Sequence, residues 1–154
     1  MPEVHAPARG GSVRAPWLVA MVLMVLFIWG NSLVPGTESS GLSLSVVSTI
    51  RGALDALGIP SAWVTNFLVR KAAHFTEYAV LGILAARAFD LRRGAPSARI
   101  ALACAVLVLV PSIDETIQLF VAGRSGQVTD VLLDCCGAAT GAVLAALVSS
   151  LRRP

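Results

Sequence analysis

Four long apolar stretches separated by short polar turns set the pattern of this chain. The first, 17–34, is almost free of polar interruption and stops at Pro35-Gly36. A helix needs about 20 residues to cross hydrocarbon, so this stretch predicts a first membrane span. Its basic flank also suits a secretory leader. Asn31-Ser32-Leu33-Val34-Pro35 lacks a small-x-small cleavage pattern, however, and the apolar run is long for a leader, which favours a retained anchor. Trp17 and Trp29 stand near its two ends, as interfacial anchors do. The second span begins between 63 and 71 and runs through 89, the third covers 99 or 100 to about 121, and the fourth 128–151. Pro111 predicts a kink in the third, because its ring nitrogen has no hydrogen for the helical ladder.

Residues 36–60 are too polar to span, yet Val46, Val47, Ile50, Leu54 and Leu57 recur at helical spacing with Ser43, Ser48, Arg51 and Asp55 between them. Two readings stay open: an extracytoplasmic amphipathic helix lying on the membrane surface, or a loop folded over the helix ends. Gly58-Ile59-Pro60-Ser61 then punctuates the chain, with Ser61 as the expected helix N-cap. Residues 1–16, with Arg9 and Arg14 among Pro, Gly and Ala, show no periodicity and read as a disordered cytoplasmic tail. The expected fold is therefore all-α: a polytopic membrane protein whose residues 17–151 form one antiparallel bundle of four transmembrane helices, with both termini cytoplasmic.

Composition agrees. Of 154 residues, 56% are hydrophobic and 14% charged, and a mean hydropathy of +0.77 is more than a water-soluble domain of this size could cover with polar surface. The lipid bilayer is thus the first partner. A net charge of +3 and a pI near 9.1 would suggest nucleic acid in a soluble chain. Here Lys and Arg gather where cytoplasmic loops are expected, so no nucleic-acid partner is expected. With the N-terminus inside, Arg9, Arg14, Arg92, Arg93, Arg99, Arg152 and Arg153 face the cytoplasm, against Arg51, Arg70, Lys71 and Arg124 outside. Cys104, Cys135 and Cys136 lie in apolar runs at a spacing that suits neither a disulfide framework nor a metal knuckle, and read as small buried hydrophobes.

The candidate chemistry lies in the charges left inside the spans. Lys71, His74, Tyr78 and Leu81 share one face of the second span, with Glu77 at its margin. The third carries Asp114, Glu115 and Gln118, and the fourth aligns Asp130, Asp134, Gly137 and Gly141 in a stripe both acidic and small, along which another helix can approach closely. Antiparallel threading brings all of these to the outer end of the bundle. Asp114 then lies roughly 22 Å along a hydrocarbon layer about 30 Å thick. Each carboxylate at such depth costs on the order of 2.5 to 3.5 kcal/mol, so they must pair, keep a proton or line a wet cavity. The acids outnumber their basic partners Lys71, Arg70, Arg124 and His74. His74, Glu77, Asp114 and Glu115 are candidates for acid/base work, and Lys71, Gln118, Arg124, Asp130 and Asp134 for binding. His74, Asp114, Asp130 and Asp134 are candidates to hold a divalent cation; His74 with Glu77 at i, i+3 and Asp130 with Asp134 at i, i+4 match spacings used by metal sites on facing helices. The competing structural reading is an ion-pair network that locks the bundle without catalysis, with Thr116 and Gln118 satisfying leftover donors.

The runs Lys71-xx-His74-Phe75-x-Glu77-Tyr78-xx-Leu81-Gly82, Asp114-Glu115-xx-Gln118-x-Phe120-xx-Gly123-Arg124-Ser125-Gly126 and Asp130-xxx-Asp134-xx-Gly137-xxx-Gly141 resemble the VanZ-like family of small bacterial membrane proteins. The resemblance extends over about 17–151, and Lys71, His74, Glu77, Asp114, Glu115, Gln118, Arg124, Asp130 and Asp134 match the recurrent polar positions. Val121-Ala122 stands where that family more often has a Pro in the loop. The resemblance implies a multi-pass protein of the bacterial cytoplasmic membrane with a role in low-level resistance to teicoplanin-type glycopeptides. Three functions follow as expectations. The first is an outward-facing polar intramembrane site that engages an envelope component, a lipid-linked cell-wall intermediate or a glycopeptide, with the Arg124 fork on a phosphate. The second is an enzyme acting on a lipid phosphate or lipid-linked headgroup, with no nucleophile elbow, HExxH or P-loop to support it. The third is a proton-coupled transporter, for which so short a chain would have to oligomerise.

Overall fold

The computed structural model describes residues 13–91 and 95–151. It contains five helices, α1 (Ala15–Ser32), α2 (Gly36–Ala56), α3 (Asn66–Ala88), α4 (Ser97–Gln118) and α5 (Val128–Leu151), and no strand among the described residues. The expected tail up to residue 12 lies outside the described residues, as do Arg9, Arg92, Arg93, Arg152 and Arg153. Three helices, α1, α4 and α5, are long and apolar enough to cross a membrane. Their outward surfaces carry exposed Leu23, Leu26 and Phe27 on α1, Leu102, Val108 and Leu109 on α4, and Val143, Leu144 and Leu147 on α5. Buried among them are Asp114, Glu115, Gln118 and Asp134. Apolar outside and acidic inside is the arrangement a hydrocarbon solvent selects.

α3 is the hub, touching all four other helices. It has 23 residues, about 34 Å at 1.5 Å per residue, but Arg70, Lys71, His74 and Glu77 in its first half make it less apolar than α1, α4 and α5. Its far half buries Leu81, Gly82, Ala85, Ala86 and Ala88. The contact with α5 is backbone to backbone. A Cβ on Gly82 would meet the Ala138 carbonyl oxygen at 1.9 Å, one on Gly141 the Ala79 oxygen at 1.9 Å, and one on Gly137 the Phe75 oxygen at 2.5 Å. The small stripe on α5 is thus occupied by α3, and Asp134 on the same stripe is carried into the interior with it.

α4 continues through Pro111. The ring leaves the Leu107 carbonyl without its ladder donor, and the Cys135 thiol of α5 approaches that oxygen at 3.5 Å. Trp29 Nε1 donates to the Val110 carbonyl at 3.3 Å, tying α1 to the same turn. The cysteines correct the expectation that they are buried. Cys104 and Cys136 are exposed on the bundle surface, Cys135 is half-buried, and all three are free, since an apolar surrounding in sequence does not distinguish the interior from a lipid-facing surface.

Residues 36–56 form a helix rather than a loop. Gly36 N donates to the Ala122 carbonyl at 2.9 Å, with Gly123, at φ 73°, packed against it. At the other end of α2, Arg51 donates through Nε to the Val64 carbonyl at 2.9 Å and through Nη2 to that of Ala62 at 3.3 Å. Both ends of α2 therefore sit near the end of the bundle where α3 and α5 begin, and among the helices α2 packs on α3 alone. The N-cap of α3 is Thr65, not Ser61. Thr65 is extended and accepts from Leu68 N at 3.2 Å, whereas the Ser61 carbonyl closes a turn with Val64 N. At the opposite end of the bundle Arg14 bonds twice. Its backbone N donates to the Ala88 carbonyl at 3.0 Å and its guanidinium pairs with Asp90 at 3.2 Å.

Candidate functional site

The close α3–α5 seam and the last turns of α4 bring four chemistry-bearing side chains together. His74, Asp114, Glu115 and Asp134 each offer a ligand atom, and these atoms all lie within 4.8 Å of one another. Asp114 and Asp134 are fully buried, at 0% exposure. His74 Nδ1 lies 3.6 Å from Asp134 Oδ2, an ion-pair separation too long for a hydrogen bond. Gln118 Nε2 faces three acceptors, Ser32 Oγ at 3.3 Å, Asp114 Oδ2 at 3.3 Å and Glu115 Oε1 at 3.2 Å. An amide nitrogen has two hydrogens, so the three compete for it. Gln127 N donates to Glu115 Oε2 at 2.8 Å, and Gly126 permits this approach, since a Cβ there would meet the Glu115 carbonyl oxygen at 2.2 Å. Asp114 Oδ1, both carboxylate oxygens of Asp134 and the hydroxyl of Tyr78 are buried with no hydrogen bond among the described residues.

The remaining expected residues frame this cluster. Lys71 pairs with Asp130 and lies 5.2 Å from the centroid of the Phe67 ring. Asp130, expected among the cation-binding candidates, is not in the group of four whose ligand atoms lie within 4.8 Å of one another, whereas Glu115 is. Asp130 is one turn closer to the start of α5 than Asp134, and α3 and α5 run in the same direction, so Asp130 meets Lys71 while Asp134 meets His74. Glu77 lies outside the four-residue group and accepts from Asn31 Nδ2 at 3.5 Å. Arg124 spends much of its fork on α1, donating through Nε to the Val34 carbonyl at 2.8 Å and through Nη2 to that of Asn31 at 2.7 Å. Burial, and after it the charge of Arg70, lowers the Arg124 pKa from its ordinary value, and the guanidinium stays protonated at any physiological pH.

The Lys71–Asp130 pair is only partly shielded, with 25% and 18% of the side chains exposed. Lys71→Met is expected to destabilise the protein by about 1 to 3 kcal/mol, between the exposed and buried limits for breaking a pair. The double variant Lys71→Met/Asp130→Asn should recover most of that loss, and melting temperatures of the four proteins in detergent give the coupling.

Two clefts open beside the cluster. One, of about 200 Å³, lies between α1, α2 and α3 and is lined by Asn31, Ser43, Arg70, His74, Glu77 and Arg124 among others. The second, of about 270 Å³, lies between α3, α4 and the start of α5 and is lined by Arg70, Lys71, His74, Gln118, Gln127 and Asp130 among others. Arg70 and His74 line both. In the sequence Arg70 is one of four expected basic partners of the acids. Its position one turn before His74 was the signal that it faces the same space. Unlike the other basic groups at this end, Arg70 makes no hydrogen bond or ion pair among the described residues.

No curated protein and no solved structure matches the chain. The VanZ/LLP1 family model matches residues 17–149, the stretch that carries all five helices nearly from end to end, and the chain belongs to that family.

Proposed function

We propose that this protein spans the bacterial cytoplasmic membrane four times, through α1, α3, α4 and α5 with both termini inside, and binds the anionic headgroup of a lipid-linked envelope component at its outer face, so influencing susceptibility to teicoplanin-type glycopeptides. The observation that carries the reading is Arg70: a guanidinium without a protein partner among the described residues, shared by two clefts, next to Arg124 and His74. A planar fork with free donors at a membrane-embedded cleft suits a phosphate, and phosphate is the charged group common to lipid-linked cell-wall intermediates. The orientation draws support from what the other basic residues do. Arg51, Lys71 and Arg124 are each held by protein groups at the end where α3 and α5 start. Discounting them leaves Arg70 as the one expected outer basic residue without a structural task among the described residues, which strengthens the basic bias toward the other side. Ser125 is exposed in the loop at the same end. Ser125→Cys should therefore react in intact cells with a membrane-impermeant maleimide, and labelling only after permeabilisation would reverse the orientation.

A second reading, hydrolysis of a lipid phosphate ester, is favoured by one observation: His74 lines both clefts and also faces three carboxylates. His74 or Glu115 would then act as acid or base toward a substrate held by Arg70. Incubation of purified protein with polyprenyl diphosphate and divalent cations measures this, and absence of phosphate release would retire the enzymatic reading while leaving the binding one intact.

A further inference from the structure

We propose that His74, Asp114, Glu115 and Asp134 bind one divalent first-row transition cation, of the Mn²⁺ or Zn²⁺ class, where α3, α4 and α5 meet. The proposal holds whichever headgroup the clefts take. Four donor atoms from three helices within 4.8 Å of one another are nearly at the spacing a bound cation imposes. Bonds of about 2.0 to 2.2 Å set ligand atoms about 3 to 4.4 Å apart, so a contraction of a few tenths of an ångström completes the shell. Asp114 and Asp134 are at 0% exposure, and Asp114 Oδ1 and both Asp134 oxygens are buried without a hydrogen bond among the described residues. Carboxylate oxygens left so are costly unless a cation meets them.

The charge count points the same way. Three carboxylates face one imidazole in the group. Lys71, the only lysine of the chain, is committed to Asp130, and Arg124 to the end of α1; Arg70 lines the adjoining clefts and pairs with none of the three carboxylates among the described residues. The groups that do donate to the cluster are placed as supporting partners. Gln118 Nε2 reaches Asp114 Oδ2 and Glu115 Oε1, and Gln127 N reaches Glu115 Oε2. They anchor Asp114 and Glu115 and leave Asp114 Oδ1 and both Asp134 oxygens without a hydrogen bond among the described residues. One nitrogen with carboxylate oxygens suits Mn²⁺, Fe²⁺ or Zn²⁺ better than Mg²⁺ or Ca²⁺, which take all-oxygen shells, and lacks the thiolates that soft ions need.

The test uses the full chain, purified in detergent and stripped with chelator, titrated with Mn²⁺ by electron paramagnetic resonance and with Zn²⁺ by competition. Wild type is expected to bind one cation per chain, to gain melting temperature on binding, and to show imidazole nitrogen coupling to the bound Mn²⁺. Asp134→Asn and Asp114→Asn should each weaken binding by about 100-fold or more, beyond the 10- to 100-fold typical of losing only an outer-shell partner. His74→Gln should abolish the nitrogen coupling, and Asp55→Asn on α2 should leave the affinity within about threefold, as a remote charge does. Wild type that binds neither ion stoichiometrically at about 1 mM, or Asp134→Asn that keeps wild-type affinity, or bound Mn²⁺ without nitrogen coupling, would each overturn the proposal. If Asp134→Asn fails to fold, the wild-type stoichiometry and nitrogen coupling still decide. An ion-pair network alone would produce neither.

Discussion

Gly82→Ala is expected to destabilise the protein by about 3 kcal/mol or more, at or above the upper end for overpacking a core. The added methyl would sit 1.9 Å from the Ala138 carbonyl oxygen and 2.9 Å from the Ala142 nitrogen. Both neighbours are backbone of a helix, so no side-chain rotamer can relieve the overlap and α3 must move away from α5. Gly30→Ala on α1 is the control, because a Cβ there meets nothing within 4 Å. It should stabilise slightly or not at all, since alanine exceeds glycine in helix propensity by about 1 kcal/mol. Melting temperatures in one detergent distinguish the two. Equal shifts would mean that α3 and α5 do not meet along the glycine face. Separation of the seam also pulls His74 from Asp134, so a variant that survives expression should lose ligand binding as well as stability.

Arg70→Ala is expected to weaken binding of a polyprenyl phosphate by about 10- to 100-fold, from the loss of charge-assisted hydrogen bonds contributing about 1.5 to 3 kcal/mol. Its melting temperature should stay close to that of wild type, because Arg70 holds no other protein group among the described residues. Arg124→Ala should do the reverse. It frees the carbonyls of Asn31 and Val34 at the end of α1, so its main effect is lower stability, with a smaller loss of binding. Arg70→Lys keeps the charge but not the planar fork and should fall between wild type and Arg70→Ala. Loss of binding in Arg124→Ala without loss of stability would exchange the roles of the two arginines.

How far these roles can be read in the sequence depends on the distance over which each is decided. Helix existence is local. Apolar runs and turn residues place α5 at Val128–Leu151 and α3 at Asn66–Ala88 close to where the spacing predicts them, and the small stripe of Gly137 and Gly141 announces a close helix neighbour. The period of an α-helix also fixes which residues share a face, so the convergence of His74, Asp114, Glu115 and Asp134 is legible in outline. What periodicity lacks is the rung at which two helices meet. A shift of one turn, about 5.4 Å, decides whether Asp130 or Asp134 joins the cluster, and only the packing of Gly82, Gly137 and Gly141 against α5 and α3 sets it. Likewise the need of the α1 carbonyls for a donor is a consequence of where α1 ends relative to the 119–127 loop, which no local signal at Arg124 contains. The cysteines show a third limit, because apolar neighbours in sequence are shared by core-facing and lipid-facing positions of the same helix.

The most direct measurement is equilibrium binding of a short-chain polyprenyl monophosphate to the protein in phosphatidylcholine nanodiscs, for wild type and Arg70→Ala. Saturable binding to wild type, competed by a second lipid phosphate but not by a zwitterionic lipid, and weakened about 10- to 100-fold in Arg70→Ala, is the expected result. Binding to wild type no tighter than to phosphatidylcholine, or equal affinity in the two proteins, would contradict an anionic-headgroup site at Arg70.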